Sequence, residues 1–412
     1  MNISIDLNSF FDGSLGYDLR STDLYKKNID KCQEASEKLT LEIKDKSNEI
    51  INSFGHNYQS NTKLLKNKIV ENNNKLVIGL GGSSAGSKAI SMYLKKNIYF
   101  FDNYDLRYIS HFFSNYNLND FTIYIVSKSG NTFETLAMLN LTYQHLLKIS
   151  TKEEIKKNIV VITEDSDNLL NNFAKKNGLQ VIVHNAKIGG RYSVFSETGM
   201  IPFDLNPTKI STSSELVISK FSQNNLQDQS NPTVNAAVIL TIKELNNIRF
   251  NINLLYDYLL KNYSYWFHQL SAESLGKNEK AMTPMTSICP KDHHSMMQLF
   301  IDGPRDKLFN FYPPLEKKYF ETFLPLNLGD IETKSPENLL KSQYIGLVKT
   351  FKNKRIPYRI ITCSSDPAHR ASNIFELFAY NILETIILGY AQNINPYDQP
   401  AVEQIKLNTF SS

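Results

Sequence analysis

Between residues 75 and 185, short runs of aliphatic and β-branched residues alternate with longer stretches whose apolar positions recur every three or four residues. Leu76-Val77-Ile78, Thr122 to Val126, Ile159 to Ile162 and Val181-Ile182-Val183 are continuous apolar runs, the pattern of strands buried on both faces. Between them, Asn131 with Glu134 three residues on predicts a capped helix start leading into Leu136, Leu139, Leu141 and Tyr143. Parallel α/β architecture follows. Pro202 and Pro207 interrupt the pattern, and a domain boundary is expected at residue 205. Beyond it, Leu259, Tyr263, Trp266, Phe267 and Leu270 fall on one helical face. Strands are expected again near Ile288, from Phe309 to Tyr312 and at Tyr358-Arg359-Ile360-Ile361, the last leading into a helix with Ile374, Phe378, Ile382 and Ile386 on one face. Residues 1–60 read as a charged, helical N-terminal arm. The expected organisation is therefore an arm at 1–60, a first α/β domain at 61–205, and a second at 206–412 that ends in a helix.

Composition changes this picture little. A chain of 412 residues exceeds what one core usually serves, and 41% hydrophobic residues, with 24 Phe and 22 Tyr, supply apolar material for two. The 45 basic and 41 acidic residues leave a net charge of +4, and no basic block gathers them, so nucleic acid is not an expected partner. Cys32, Cys289 and Cys363 are far apart and lack CxxC spacing, so neither a disulfide framework nor a thiolate metal site is expected. Met1 to Phe11 has no basic segment ahead of an apolar run, which argues against a signal peptide. The most apolar stretch, Ile374 to Leu388, is interrupted by Glu376, Asn381 and Glu384 and falls short of the roughly 20 residues a bilayer requires. A cytoplasmic chain without a membrane segment is the expectation.

Two loops carry candidate chemistry. Gly79-Leu80-Gly81-Gly82-Ser83-Ser84-Ala85-Gly86 follows a predicted strand and precedes a helix, where glycine permits a tight turn and exposed N–H groups can meet an anion. A dinucleotide fingerprint would need glycine at Ser84, so a nicotinamide cofactor is not indicated. An ordinary glycine-rich turn fits this loop equally well. One α/β unit later, Ser127-Lys128-Ser129-Gly130-Asn131-Thr132 repeats the topology with hydroxyl donors and a helix start, a combination suited to a dianionic phosphate monoester. It lacks the order of a nucleotide P-loop, which favours a sugar phosphate over ATP. No HExxH, no histidines paired at ligand spacing and no Asp-rich calcium loop indicates a metal, and no cofactor is implied.

The second loop resembles the sugar-phosphate loop of the sugar isomerase (SIS) domain, and four further segments resemble the phosphoglucose isomerase family in that family's order. Gly189-Gly190-Arg191-Tyr192-Ser193 is similar to its GGR[FY]S signature, Gln269 to Lys277 to the segment bearing the catalytic glutamate, and Asp292-His293-His294-Ser295 to its QHS segment. Tyr397-Asp398-Gln399-Pro400-Ala401-Val402-Glu403-Gln404-Ile405-Lys406 matches the C-terminal FDQxGVExxK pattern. The landmarks span residues 79 to 406, with departures at Glu197, Phe133 and Pro400-Ala401 that remove no catalytic group. The resemblance implies two SIS-type αβα sandwich domains with mainly parallel sheets, and reversible glucose 6-phosphate/fructose 6-phosphate isomerisation.

It also implies roles. Moving a proton between C2 and C1 needs one carboxylate above the enediol plane, and Glu273 takes that part. Gln269 shares its helical face four residues earlier and would hold sugar hydroxyls, although a glutamate at a helix end is more commonly a solvated charge. Arg191 would stabilise enediolate charge, the alternative being a salt bridge to Glu197. His294 would open the sugar ring with the help of Lys406, while His293 is expected to be simply exposed. Gln399 would contact substrate, and Gly82, Ser83, Ser127, Lys128, Ser129 and Thr132 would hold the phosphate end. A homodimer with His294 reaching the neighbour's site is part of the resemblance. The rival readings are an enzyme that also takes mannose 6-phosphate, and a non-catalytic sugar-phosphate sensor, which would have no need of Glu273, His294 and Lys406.

Overall fold

The computed structural model describes residues 1–315, 327–328, 331–332 and 335–402. The chain forms two compact units, one of residues 42–215 and a composite one of residues 1–41 with 216–412. In chain order the strands are β1 (Ile3–Asp6), β2 (Asn74–Ile78), β3 (Tyr99–Phe101), β4 (Phe121–Val126), β5 (Ile159–Thr163), β6 (Gln180–Val183), β7 (Phe250–Leu255), β8 (Thr283–Ile288) and β9 (Lys307–Tyr312). A short antiparallel pair, β10 (Asn327–Leu328) and β11 (Ile331–Glu332), precedes β12 (Tyr358–Cys363).

In the 42–215 unit five strands lie in the order β3-β2-β4-β5-β6, each parallel to its neighbours. Successive residues of a strand point to opposite faces. Leu76, Ile78, Ile123, Ile125 and Val161 therefore enter one core with Phe101, Ile109 and Phe112. Val77, Tyr124, Val126, Val160 and Ile162 enter another with Ile69 and Ile201. A core on each side of the sheet makes an αβα sandwich. It also explains the sequence pattern, because a strand covered on both faces has no polar positions with which to alternate.

The composite unit holds a second five-stranded sheet, β1-β12-β9-β7-β8, parallel except for its edge strand β1, which runs antiparallel to β12. Residues 1–60, expected to be helical, thus open with a strand: Ile3 and Ile5 are buried while Ser4 and Asp6 are exposed. The long helix Asp23–Lys44 follows. Ile252, Leu254, Phe309, Phe311 and Tyr358 fill the core on one side of the sheet. The helix Arg370–Ala391 is buried along nearly its whole length. The apolar stretch here, Pro367–Ala391, is longer than the expected Ile374 to Leu388 and is long and apolar enough to cross a membrane. Its most apolar window is nevertheless 94% buried inside the protein, the property of a core helix.

Parallel sheets bind ligands at the carboxyl ends of their strands, where loops and helix N-termini converge. Both glycine-bearing loops of the 42–215 unit sit there: the loop after β2 begins at Gly79 and the loop after β4 at Ser127. The two strands are neighbours in the sheet, so the loops emerge side by side.

Candidate functional site

The phosphate-type loop of the 42–215 unit is held from within. Gly130 has a φ of 64°, a conformation natural to glycine, and a Cβ there would overlap the Asn168 side-chain amide. The Gly130 carbonyl accepts from Leu170 N–H at 3.0 Å, and the Asn131 side chain accepts from Leu169 N–H at 3.0 Å. This second contact corrects the expected cap: Asn131 is committed to the neighbouring helix, and Thr132 is the N-cap of Phe133–Ile149. Ser127 is buried and donates its hydroxyl to Thr132 Oγ1 at 3.0 Å, whereas the Ser129 hydroxyl is exposed and accepts from Asn131 N–H at 3.3 Å. Lys128 lies 3.6 Å from the Glu164 carboxylate. Hydroxyls therefore surround the start of a 17-residue helix, whose positive dipole end favours an anion.

The loop after β2 packs directly on the segment that carries Arg191. Gly82 is buried, and a Cβ there would overlap the Gly190 carbonyl, so the two backbones meet without side chains between them. Ser193 Oγ bridges them, 3.0 Å from the Gly82 carbonyl and 2.7 Å from that of Gly190. Gly82, Ser83 and Arg191 are thus brought together. Arg191 is only 1% exposed, with its guanidinium carbon 5.1 Å from the centre of the Tyr192 ring. Glu197, weighed as its salt-bridge partner, accepts from Tyr58 Oη at 2.7 Å and has its other oxygen 3.5 Å from His184 Nδ1.

In the composite unit, Lys261–Leu275 forms a helix with Tyr263, Trp266, Phe267 and Leu270 buried, as their spacing predicts, whereas Leu259, expected on the same face, lies in the short turn Tyr258–Leu260 before it. Gln269 Nε2 donates to Glu273 Oε1 at 3.0 Å, the contact that a separation of four residues allows. Both side chains are half-buried, and the Gln269 amide oxygen is buried without a partner, ready for a donor. The helix runs back along β8, since Ser264 and His268 both meet Thr286 through their side chains, at 2.6 and 2.8 Å, before the chain turns at Gly276 to enter β8 at Thr283. Glu273 accordingly lies toward the amino end of β8. His294 follows its carboxyl end.

The histidine pair reverses one expectation. His294 is exposed, and it is His293 that is held, half-buried, with Nε2 hydrogen-bonded to Tyr256 Oη at 2.7 Å. Burial pushes the His293 imidazole below its usual pKa, and the neighbouring His294 charge adds to this. Asp292 fixes the turn by accepting from Ile288 N–H at 2.8 Å and from the Ser287 and Ser295 hydroxyls at 3.0 Å each. Burial raises its pKa, but these hydrogen bonds outweigh burial and hold the carboxyl below its ordinary range. Neither the Tyr256 bond nor the bracing by Asp292 was signalled by spacing. Gln399 is exposed at the end of the segment Asn395–Gln399, and Lys406 lies outside the described residues. Among the described residues no group of three His, Cys, Asp or Glu side chains gathers as a metal site.

These features define a mainly parallel α/β protein with hydroxyl- and glycine-bearing loops at strand ends and a carboxylate held by a glutamine. The chain belongs to the phosphoglucose isomerase family, whose sequence profile matches residues 40–289. It is 32% identical over 340 residues to the glucose-6-phosphate isomerase of Methanocaldococcus jannaschii, covering 81% of this chain and 82% of that one. It is 27% identical over 350 residues to that of Campylobacter jejuni, covering 81% and 84%. Among solved structures, a hypothetical protein from Thermus thermophilus shares the fold with a TM-score of 0.77 at 21% identity, over 99% of both chains. A glucose-6-phosphate isomerase from Chlamydia trachomatis superimposes with a TM-score of 0.70 at 19% identity, over 85% of this chain and 71% of that one.

Proposed function

We propose that this protein interconverts glucose 6-phosphate and fructose 6-phosphate by proton transfer through an enediolate. The observation that carries this reading is membership of the phosphoglucose isomerase family over residues 40–289, a span that includes the anion loops, Arg191 and the Gln269–Glu273 pair. The Ser127, Ser129 and Thr132 hydroxyls and the N–H groups opening the Phe133–Ile149 helix take the phosphate, with Gly82 and Ser83 beside them and Lys128 adding positive charge. Glu273 removes the C2 proton and returns it to C1, and the hydrogen bond from Gln269 fixes the carboxylate for both transfers. Arg191 stabilises charge on the enediolate oxygen. His294 and Lys406 assist ring opening, and Gln399 contacts the sugar. Charged hexose phosphates as substrates imply a cytoplasmic enzyme.

We also propose that the enzyme is a homodimer in which His294 serves the partner's substrate. What supports this is the spacing along β8: Glu273 lies five helical steps beyond His268, which meets Thr286, and His294 lies past the other end of the strand, so the two are on the order of 15 Å apart. That is too far for both to serve one pair of sugar carbons.

The test is a coupled assay on purified, folded protein with glucose 6-phosphate and fructose 6-phosphate as substrates, run in both directions. Turnover in both is expected. Failure to convert either sugar would remove the enzymatic reading, and turnover of mannose 6-phosphate in the same assay would widen the substrate class.

A further inference from the structure

The Lys277 ammonium makes three contacts that join two functional segments distant in sequence. It donates to the Ser274 carbonyl in the last turn of the Glu273-bearing helix at 3.0 Å. It donates also to the Asn395 carbonyl at 2.6 Å, and it lies 3.0 Å from the Asp398 carboxylate, one residue before Gln399. The Lys277 side chain is largely buried, and that of Asp398 is half exposed. Ser274 is a local partner, but Asn395 lies 118 residues away and Asp398 three further on, so the lysine makes a tertiary tie and not only a local cap.

The segment beyond the Arg370–Ala391 helix has its own internal order. Asn395 accepts from Tyr397 N–H and donates to Asp398 Oδ2, both at 3.0 Å, and the Tyr390 and Tyr397 hydroxyls meet at 2.9 Å. The Asn395 bonds set the segment's shape, and the tyrosine pair ties it to the Arg370–Ala391 helix, but neither reaches the Glu273 helix directly. An earlier anchor exists at Gln392, whose carbonyl accepts from Lys280 and whose side chain accepts from Lys243, both at 2.9 Å. Between that anchor and Gln399, Asn393 to Asn395 and Tyr397 form one wall of a cleft of about 930 Å³. Ile394 and Pro396 are buried beside this wall, and the Lys277 contacts add a direct polar tie from the end of the segment nearest Gln399 to the Glu273 helix.

We infer that Lys277 is a positioning residue for the isomerase reaction: it holds the Asn395–Gln399 segment against the C-terminal turn of the Glu273 helix, so that Gln399 and the proton-transferring carboxylate keep one spacing. A lysine suits the task because a single ammonium has three donors, and here it uses them on two carbonyls and a carboxylate. The inference rests on the assignment of Glu273 and Gln399 to the reaction, and it gives the lysine and aspartate of two separate sequence motifs one shared purpose.

The experiment is a double-mutant cycle on the full-length enzyme, with Lys277→Met, Asp398→Ala and the pair, alongside Lys277→Arg and Gln399→Ala. Lys277→Met is expected to lower kcat about tenfold with KM changed less than about threefold, because the phosphate loop lies elsewhere. Asp398→Ala, which leaves the Ser274 and Asn395 carbonyl contacts, should give a smaller loss in the same direction, and the double variant should be no worse than Lys277→Met within about twofold, since Lys277→Met already removes the Asp398 contact. Lys277→Arg should recover most of the rate. Multiplying losses in the double variant, or wild-type kcat in both single variants, would overturn the inference. Should Lys277→Met fail to fold, the half-exposed Asp398→Ala and the conservative Lys277→Arg still decide it: unchanged kcat in Asp398→Ala counts against the tie. Gln399→Ala separates the two levels, because normal kinetics there removes the Gln399 assignment, whereas impaired Gln399→Ala with normal Asp398→Ala removes only the role of Lys277.

Discussion

At the scale of single residues, the proposed site divides into groups that would act and groups that would hold. Glu273→Gln keeps the shape and the contact with Gln269 but removes the base, so kcat should fall by at least about a thousandfold while sugar-phosphate affinity stays within about tenfold. Isothermal titration beside the coupled assay checks both, and full activity would exclude Glu273 from proton transfer. Gly130→Ala is different in kind. Its φ of 64° and the Asn168 amide beside it leave no room for a methyl group, so the phosphate loop must shift and KM should rise more than kcat falls. His268 supplies a pH dependence. Burial lowers its pKa from the ordinary 6.5, so below that value the unfolded chain takes up a proton that the folded one resists. Stability should be constant above about pH 7 and decline as pH falls through 6.5, with the decline shallower in His268→Gln when urea midpoints are compared.

At the scale of elements, polar residues inside apolar helices mark where helices and strands are tied together. In the Arg370–Ala391 helix, Glu376 accepts from the backbone N–H groups of Asn2 at 2.6 Å and Ile3 at 3.1 Å, at the start of β1. Glu384 takes the Arg359 guanidinium of β12 in a buried two-point pair at 2.5 and 3.0 Å, and Arg359 also donates to Asn310 and Asn235. Removing one partner leaves the other charge buried and unpaired, so Glu384→Ala should cost about 3–5 kcal/mol in denaturant unfolding. A loss below about 1 kcal/mol would show that water reaches Arg359 in the variant. In the sequence, these two glutamates served only as marks against a membrane span, because their partners are remote. The same distance limit governs what else was legible. The strands β2, β4 and β5 announced themselves as apolar runs, whereas β7, buried from Asn251 to Leu255, was missed because Asn251 and Asn253 break its run, and Ile3–Asp6 is too short for its alternation to stand out from the charged helix after it. The two candidate loops could be located because their residues are local in sequence, and Glu273 and Arg191 became candidates because their motifs resemble a family's. His293 was not legible, since its environment is set by Tyr256, 37 residues away, and neither was the tie from Lys277.

At the scale of the whole molecule, the fold outlasts sequence: a chain with only 21% identical residues superimposes over 99% of this one, because the pattern of buried positions constrains identity less than type. What must persist more strictly is the arrangement that completes the site, and here the separation of Glu273 from His294 along β8 gives a quantitative prediction. A closed twofold dimer sets the same surface beside its own copy, so one loop can complete two equivalent sites. Glu273→Gln and His294→Ala homodimers should each be nearly inactive. When the two variants are unfolded together and refolded at equal concentration, half of the dimers are mixed, and in each mixed dimer one site carries both lesions and the other none. Activity should therefore return to about a quarter of the wild-type value. If His294 instead served its own subunit, every site would keep one lesion and refolding would restore nothing. Native mass spectrometry establishes that mixed dimers have formed, and with that established, activity no greater than the average of the separate variants would rule out a histidine acting across the interface.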